Sequence, residues 1–225
     1  MVPRRASHPL GRPMGYLQAI FVTGCSGASR SVKGGATWSA PIPVESNSLS
    51  SDDSSLGTSD GHSWSTQQTL GTGALDDRLM DVSCATRRFC VAVNLNGLTL
   101  TFDGQRWSTV PGTGPRGMIS LSCSSTSFCL AVADSGAYAT FDGRRWSALS
   151  AIPGFGAVFA YSVSCSSTTR CTAIGLSGMA ANWQQGRWSE PVRVFPGGYS
   201  ATVAVSCASS DIRMALSSKG DAAIY

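Results

Sequence analysis

The sequence predicts an all-β protein assembled from one repeated antiparallel unit, and three observations carry that prediction. Four segments that alternate apolar and small polar residues end in Ser-Cys: Met80–Cys84, Ile119–Cys123, Tyr161–Cys165 and Val203–Cys207, with starts 39, 42 and 42 residues apart. A glycine and then an aromatic residue follow every one of these segments at constant spacing: Gly97 and Phe102, Gly136 and Phe141, Gly178 and Trp183, Gly220 and Tyr225. In the first three repeats a Trp-Ser pair comes next, at Trp107, Trp146 and Trp188. Periodicity at about 40 residues marks a repeat architecture in which each unit is one supersecondary element.

Each part of the unit has a physical reading. The alternating Ser-Cys segment is strand A, because period two places one side-chain set on each face of a strand. Runs such as Cys90–Val93 and Cys129–Val132 are apolar without alternation, which suits a strand B covered on both faces. The recurring glycine supplies the positive φ of a tight B–C turn. Strand C ends on the aromatic residue and runs into Asp103-Gly104 or Asp142-Gly143, a hairpin signal. The third repeat has Gln184-Gln185-Gly186 there, so its turn must differ. Strand D opens on the tryptophan. Four short antiparallel strands per repeat are the blade of a β-propeller, so residues 58–225 are expected to form four, or with a degenerate copy five, blades.

Strand counting raises a question of closure. The fourth repeat shows strands A to C only, while Asp60-Gly61-His62-Ser63-Trp64-Ser65 has the form of a C–D turn and strand D without its blade. One expectation is that residues 64–70 supply the missing strand to the last blade and close a four-bladed ring, which would hide exposed strand edges. The other is a further blade. Ser31–Trp38 has the pattern Ser-x-Asp-x-Gly-x-Thr-Trp with Lys33 in place of the aspartate, although Trp38 and Trp64 stand only 26 residues apart.

The tryptophan-bearing turns and cysteine pairs resemble the Asp-box (BNR-like) β-propeller repeats of secreted bacterial proteins, a repeat class also found in sialidases. The resemblance covers residues 58–225 and, more weakly, 31–38. It implies the propeller fold and an extracytoplasmic setting, and it makes the box a structural turn that carries no activity by itself.

Of eight cysteines, seven stand in the repeat, a usage that belongs to an oxidising compartment. Cys84/Cys90, Cys123/Cys129 and Cys165/Cys171 each flank an A–B hairpin and are expected to pair within their blade. Arg213 stands where the fourth repeat would have its second cysteine, leaving Cys207 as a buried thiol. Zinc is not expected: the spacing lacks a C-x2-C knuckle and no histidine lies nearby. Upstream, Val22-Thr23-Gly24-Cys25 resembles a lipobox with Cys25 as the lipidated residue, preceded by Arg4, Arg5 and Arg12 and the apolar stretch Tyr16–Thr23. Residues 1–25 then read as a lipoprotein signal, and 26–57 as a Ser-rich tether or a degenerate blade.

Function is less legible. The formal charge of +4 is too mild for a nucleic-acid footprint, and no run of ~18 apolar residues predicts a transmembrane helix. Only Glu45 and Glu190 are glutamates and only His8 and His62 are histidines, so neither a Ser-His-Asp arrangement nor a glycosidase carboxylate pair is apparent. No cofactor is expected. The reading that follows is an exported interaction module, secreted or lipid-anchored, for a protein or glycan; the alternatives are a sialidase-like glycan hydrolase and an incomplete product of a larger propeller gene. The D–A loops, with Arg116, Phe155, Phe159, Arg193, Phe195 and Tyr199, form the candidate binding surface, since aromatics with arginine typify hot spots. At the opposite end Arg87, Arg88, Arg106, Arg144, Arg145, Arg170 and Arg187 would form a basic rim facing an anionic envelope surface, or a solvated face whose stems cover the tryptophans.

Overall fold

The computed structural model describes residues 55–56, 68–69, 79–155, 160–175, 178–195, 202–207 and 213–224. Blade 1 consists of β3 (Leu79–Thr86), β4 (Phe89–Asn94), β5 (Thr99–Phe102) and β6 (Trp107–Thr109), paired in that order. Blade 2 repeats it with β7 (Met118–Ser125), β8 (Phe128–Ala133), β9 (Ala137–Phe141) and β10 (Ser150–Ala151). Blade 3 has β11 (Ala160–Ser167), β12 (Arg170–Gly175), β13 (Met179–Gln184), β14 (Arg187–Trp188) and β15 (Val192–Arg193), the last two both pairing with β13. Blade 4 has β16 (Thr202–Cys207), β17 (Arg213–Ser217) and β18 (Ala222–Ile224). A two-stranded pair, β1 (Ser55–Leu56) with β2 (Gln68–Thr69), precedes them.

Every sequence signal has a mechanical role in this array. Strand B is buried from its second residue onward in blades 1 to 3. The B–C glycines have φ of 90°, 75°, 72° and 86° at Gly97, Gly136, Gly178 and Gly220, conformations that a Cβ would penalise. The cysteines stand directly opposite each other in the A–B register and form the disulfides Cys84–Cys90, Cys123–Cys129 and Cys165–Cys171. In blade 4, Arg213 occupies the place opposite Cys207, whose buried thiol donates to the Ser164 carbonyl at 3.4 Å.

Successive A strands pack side by side, β3 on β7, β7 on β11 and β11 on β16. Their small polar residues lace them together. The Ser83 hydroxyl accepts the Cys123 N–H at 2.9 Å, Ser122 that of Cys165 at 2.9 Å, and Ser164 that of Cys207 at 3.1 Å. A second row uses Ser120 to Val163 at 3.2 Å and Ser162 to Val205 at 3.3 Å. Its first member is a carboxylate: Asp81 Oδ2 accepts from the Leu121 N–H at 2.7 Å and the Ser120 hydroxyl at 3.1 Å, while Oδ1 takes the Val82 N–H at 2.8 Å. Each hydroxyl thus satisfies a backbone donor of the next blade that would otherwise be buried unpaired.

Of residues 64–70, expected to supply the missing strand to the last blade, the structure describes Gln68 and Thr69, and the rest lie outside the described residues. Gln68 and Thr69 pair with β1, and β18 pairs with β17 alone among the described strands. The register is informative. Leu56↔Gln68 and Ser55↔Thr69 place the partners four and five positions after Trp64 in sequence. Ser150 and Ala151 stand in the same relation to Trp146, and Val192 and Arg193 to Trp188. Ser55–Leu56 and Gln68–Thr69 therefore pair in the C–D register of blades 2 and 3.

Candidate functional site

The A–B and C–D turns meet at one end of each blade because the strands alternate in direction. Their packing is close. A Cβ on Gly104, whose φ is +98°, would come within 2.7 Å of the Arg88 side chain, and Gln185 donates its N–H to the Thr169 carbonyl at 3.0 Å. In blades 1 and 2 an aspartate shapes the turn. Asp103 Oδ1 accepts the N–H groups of Gln105 and Arg106 at 2.8 and 2.9 Å, and Asp142 Oδ1 those of Arg144 and Arg145 at 2.8 and 2.7 Å. These backbone donors hold both carboxyls below the usual carboxylate range. Blade 3, lacking the aspartate, turns with Gln185 at φ 49°, the difference its sequence implies.

This end carries Arg87, Arg88, Arg106, Arg144, Arg145, Arg170 and Arg187, all exposed. Asp103 and Asp142 are the acids of the same turns, and Asp103 lies 3.8 Å from Arg106 in a solvent-exposed pair. Seven arginines against two aspartates exceed the +4 of the whole chain, so the protein's basic excess is concentrated here.

At the opposite end the D–A connections hydrogen-bond to the B–C turns. Gly97, Gly136 and Gly178 accept through their carbonyls from Gly114 at 2.8 Å, Ile152 at 3.1 Å and Val194 at 2.7 Å. The candidate surface expected there must be corrected. Phe155 is fully buried between blades 2 and 3 with Ile152, Val132 and Trp183, and Phe195 is buried over Gly178. The Phe155 ring fills the junction between blades 2 and 3, and both D–A segments fold down across a glycine turn. Arg116 and Arg193 are exposed. Phe159, Tyr199 and Cys25 lie outside the described residues.

Sequence reasoning did not find the third feature, a groove of about 840 Å³ between blades 3 and 4. Ile174, Ala180 and Asn182 form one wall, and Val205, Ala215 and Ala223 the other. Trp188 and Arg187 also line it, and among the described residues no aromatic ring of blade 4 packs into it as rings do at the other junctions. Between blades 2 and 3, Tyr138, Trp183 and Trp188 meet with centroids 5.3 to 5.4 Å apart. Between blades 1 and 2, the Trp146 indole N–H donates to the Thr99 hydroxyl at 2.9 Å.

Chemistry-bearing groups are few among the described residues. No group of three His, Cys, Asp or Glu side chains there is placed to hold a metal ion. Asp81 is pushed up to about 6 by burial, against the opposing pull of its Leu121, Val82 and Ser120 hydrogen bonds. Its engagement with three donors makes it part of the interblade lacing. Glu190 is exposed at the groove mouth. No helix among the described residues is long and apolar enough to cross a membrane.

Comparison with known proteins defines the class. No family model matches the sequence, and no curated protein sequence matches it. Solved structures do match. YCF48 from Cyanidioschyzon merolae superposes with a TM-score of 0.55 at 12% identity, over 69% of this chain and 52% of that one. U3-55K gives 0.55 at 15% identity over 68% and 50%, and the WD40 β-propeller domain of Doa1 gives 0.51 at 12% identity over 70% and 56%. The protein has a β-propeller fold, and the matched part of it spans about half the length of each of these structures.

Proposed function

We propose that the protein is an exported, non-catalytic β-propeller interaction module whose arginine rim holds an anionic partner, a protein or glycan of the cell envelope. The observation that carries this reading is the repetition of exposed arginine on successive blades, with Arg106, Arg145 and Arg187 each directly before the strand-D tryptophan. Repeated like charges on a rigid array raise the local potential and attract polyanions in a salt-dependent way. The three disulfides support an oxidising setting outside the cytoplasm. The Asp-box resemblance agrees with export, and Cys25 is the proposed lipid attachment site.

The test is sedimentation with anionic phosphatidylglycerol vesicles, neutral phosphatidylcholine vesicles and polyglutamate at several ionic strengths. Binding to the anionic probes that falls with salt, and is lost in the Arg106→Ser/Arg145→Ser/Arg187→Ser variant, is the expected result. Failure of the parent protein to bind either anionic probe at low salt rejects the rim as a site.

A further inference from the structure

The three disulfides sit in one structural frame. Each cysteine pair heads a row across its sheet: Cys84, Cys90, Phe102 and Trp107 in blade 1, Cys123, Cys129, Phe141 and Trp146 in blade 2, and Cys165, Cys171, Trp183 and Trp188 in blade 3. Each closes a loop over a sequence separation of 6. The turn inside that loop is set by the same bond in all three. Arg88, Ser127 and Thr169 donate their backbone N–H to the hydroxyl two residues earlier, at 3.2, 3.2 and 3.3 Å. With bond and turn held constant, what differs between the three pairs is cover and charge.

In blade 2, Cys123 and Cys129 are both buried, and Ala85 and Phe89 of blade 1 pack against their cluster. In blade 3, Cys165 and Cys171 are each 1% exposed, with Phe128 of blade 2 packed against theirs. In blade 1, Cys90 is buried but Cys84 is only half-buried. The charge runs the same way. Between its cysteines blade 1 has Ala85-Thr86-Arg87-Arg88-Phe89, blade 2 Ser124-Ser125-Thr126-Ser127-Phe128 and blade 3 Ser166-Ser167-Thr168-Thr169-Arg170. Arg87 and Arg88 are exposed and stand three and two residues from Cys90, a backbone reach of at most ~10 Å, about the distance over which a charge acts in 0.1 M salt. Asp103, in the C–D turn that abuts Arg88, is committed to the N–H groups of Gln105 and Arg106 and to the Arg106 guanidinium. Exchange needs a thiolate that can reach a sulfur and a cysteine thiolate that can leave. Positive charge beside the bond favours both, by drawing an anionic thiolate in and by stabilising the one released.

We propose that Cys84–Cys90 is a thiol–disulfide exchange site for an anionic low-molecular-weight thiol, while Cys123–Cys129 and Cys165–Cys171 are structural ties. The incoming thiolate attacks Cys84 Sγ, the accessible sulfur; the new S–S bond forms as the Cys84–Cys90 bond breaks, and Cys90 leaves as a thiolate. A second thiolate attacks the reagent's sulfur in that mixed disulfide, releasing Cys84 as a thiolate and the reagent as its disulfide. Two thiols thus supply the two electrons, and both cysteines take a proton from solvent. Reduction unties the A–B hairpin that carries Arg87 and Arg88 and leaves the hairpins of blades 2 and 3 tied. Arg87 and Arg88 also belong to the arginine rim, but exchange needs no polyanion, so a protein that binds none leaves this proposal standing.

The test uses the folded full chain with its free thiols first blocked by N-ethylmaleimide. It is treated at fixed pH and low salt with mercaptoethanesulfonate, neutral 2-mercaptoethanol or cationic cysteamine, compared at equal thiolate concentration. Cysteines released over time are captured with iodoacetamide and located by peptide mass spectrometry. Cys84 and Cys90 are expected to be labelled about tenfold or more faster than the other two pairs, with the sulfonate fastest and cysteamine slowest. Arg87→Ser/Arg88→Ser should erase that order of thiols, Arg87→Lys/Arg88→Lys should keep it, and Arg145→Ser/Arg187→Ser, on the other blades, should leave it unchanged. Equal labelling of the three pairs, or release of Cys84 and Cys90 only when the protein unfolds, overturns the proposal. So does an order of thiols that survives Arg87→Ser/Arg88→Ser, since the two arginines would then play no part in selecting the thiol.

Discussion

The junction between blades 2 and 3 and the junction between blades 3 and 4 are made from the same repeat, yet one is packed and the other is open. In the first, Trp183 and Trp188 reach back onto Tyr138, and Phe155 closes the top. In the second, Ile174, Ala180 and Val205 make a small apolar contact at the inner side, with the groove outside it. The same contrast runs along strand B. Val93, Val132 and Ile174 are buried in blades 1 to 3, whereas Leu216 at the equivalent place in blade 4 is 44% exposed. A blade is therefore not a self-sufficient unit. Its apolar faces are completed by its neighbours, so a repeat without a described follower presents the surface that its siblings conceal.

The largest expected effect comes from emptying the packed junction. Trp183→Ala should destabilise by roughly 3–5 kcal/mol, the range for removing a buried large aromatic, whereas Leu216→Ala on the open face should cost less than about 1 kcal/mol. Urea unfolding of both variants checks the contrast, and equal losses would mean that blade 4 is packed as tightly as its siblings.

Asp81 gives the next effect, because it serves the lacing as a buried carboxyl where later blades use serine. Its pKa in the folded protein, about 6, lies above its ordinary value of 3.8. The folded state therefore holds the proton more tightly than the unfolded chain. The stabilisation this gives is complete below pH ~4 and is lost as pH rises through about 6, a change of about 3 kcal/mol for a shift of two units. Thermal unfolding between pH 4 and 7.5 should show this fall, and Asp81→Asn should flatten it. An unchanged slope in the variant would assign the pH dependence to another group.

A smaller effect separates the cross-linked blades from the one that is not. Replacing Cys123 and Cys129 together by alanine should cost about 2 kcal/mol, the chain-entropy value for so short a loop. Cys207→Ala, which removes only a buried thiol, should cost about 1 kcal/mol or less. Denaturation of the two variants under non-reducing conditions compares them directly.

Much of this was legible in the sequence because it rests on local rules. The alternation before each Ser-Cys, the unbroken apolar run of strand B, the glycine turns and the Asp-Gly hairpins are decided within a few residues. The cysteine pairing follows from their place on either side of one hairpin. The candidate surface was read less well. Phe155 and Phe195 look like exposed loop aromatics because they sit in long, variable connections, and only the folding of those connections onto Gly136 and Gly178 buries them. Asp81 reads as one polar residue of an alternating strand. Its role depends on Leu121 and Ser120, about 40 positions away.

The sequence by itself determined that the chain is a series of antiparallel blades, where strands A to C and their turns fall, and which cysteines cross-link; strand D opens on the tryptophan in blade 1, but in blade 2 it is Ser150–Ala151 and in blade 3 it is split in two. Period-two patterning, positive-φ glycines and hairpin spacing are short-range constraints that act before any blade meets another. The tertiary structure decided what lies between blades: the serine lacing, the burial of Phe155 and Phe195, and the groove between blades 3 and 4. Those features depend on side chains separated by a full repeat or more, where shape and unsatisfied donors, rather than local propensity, select what packs together.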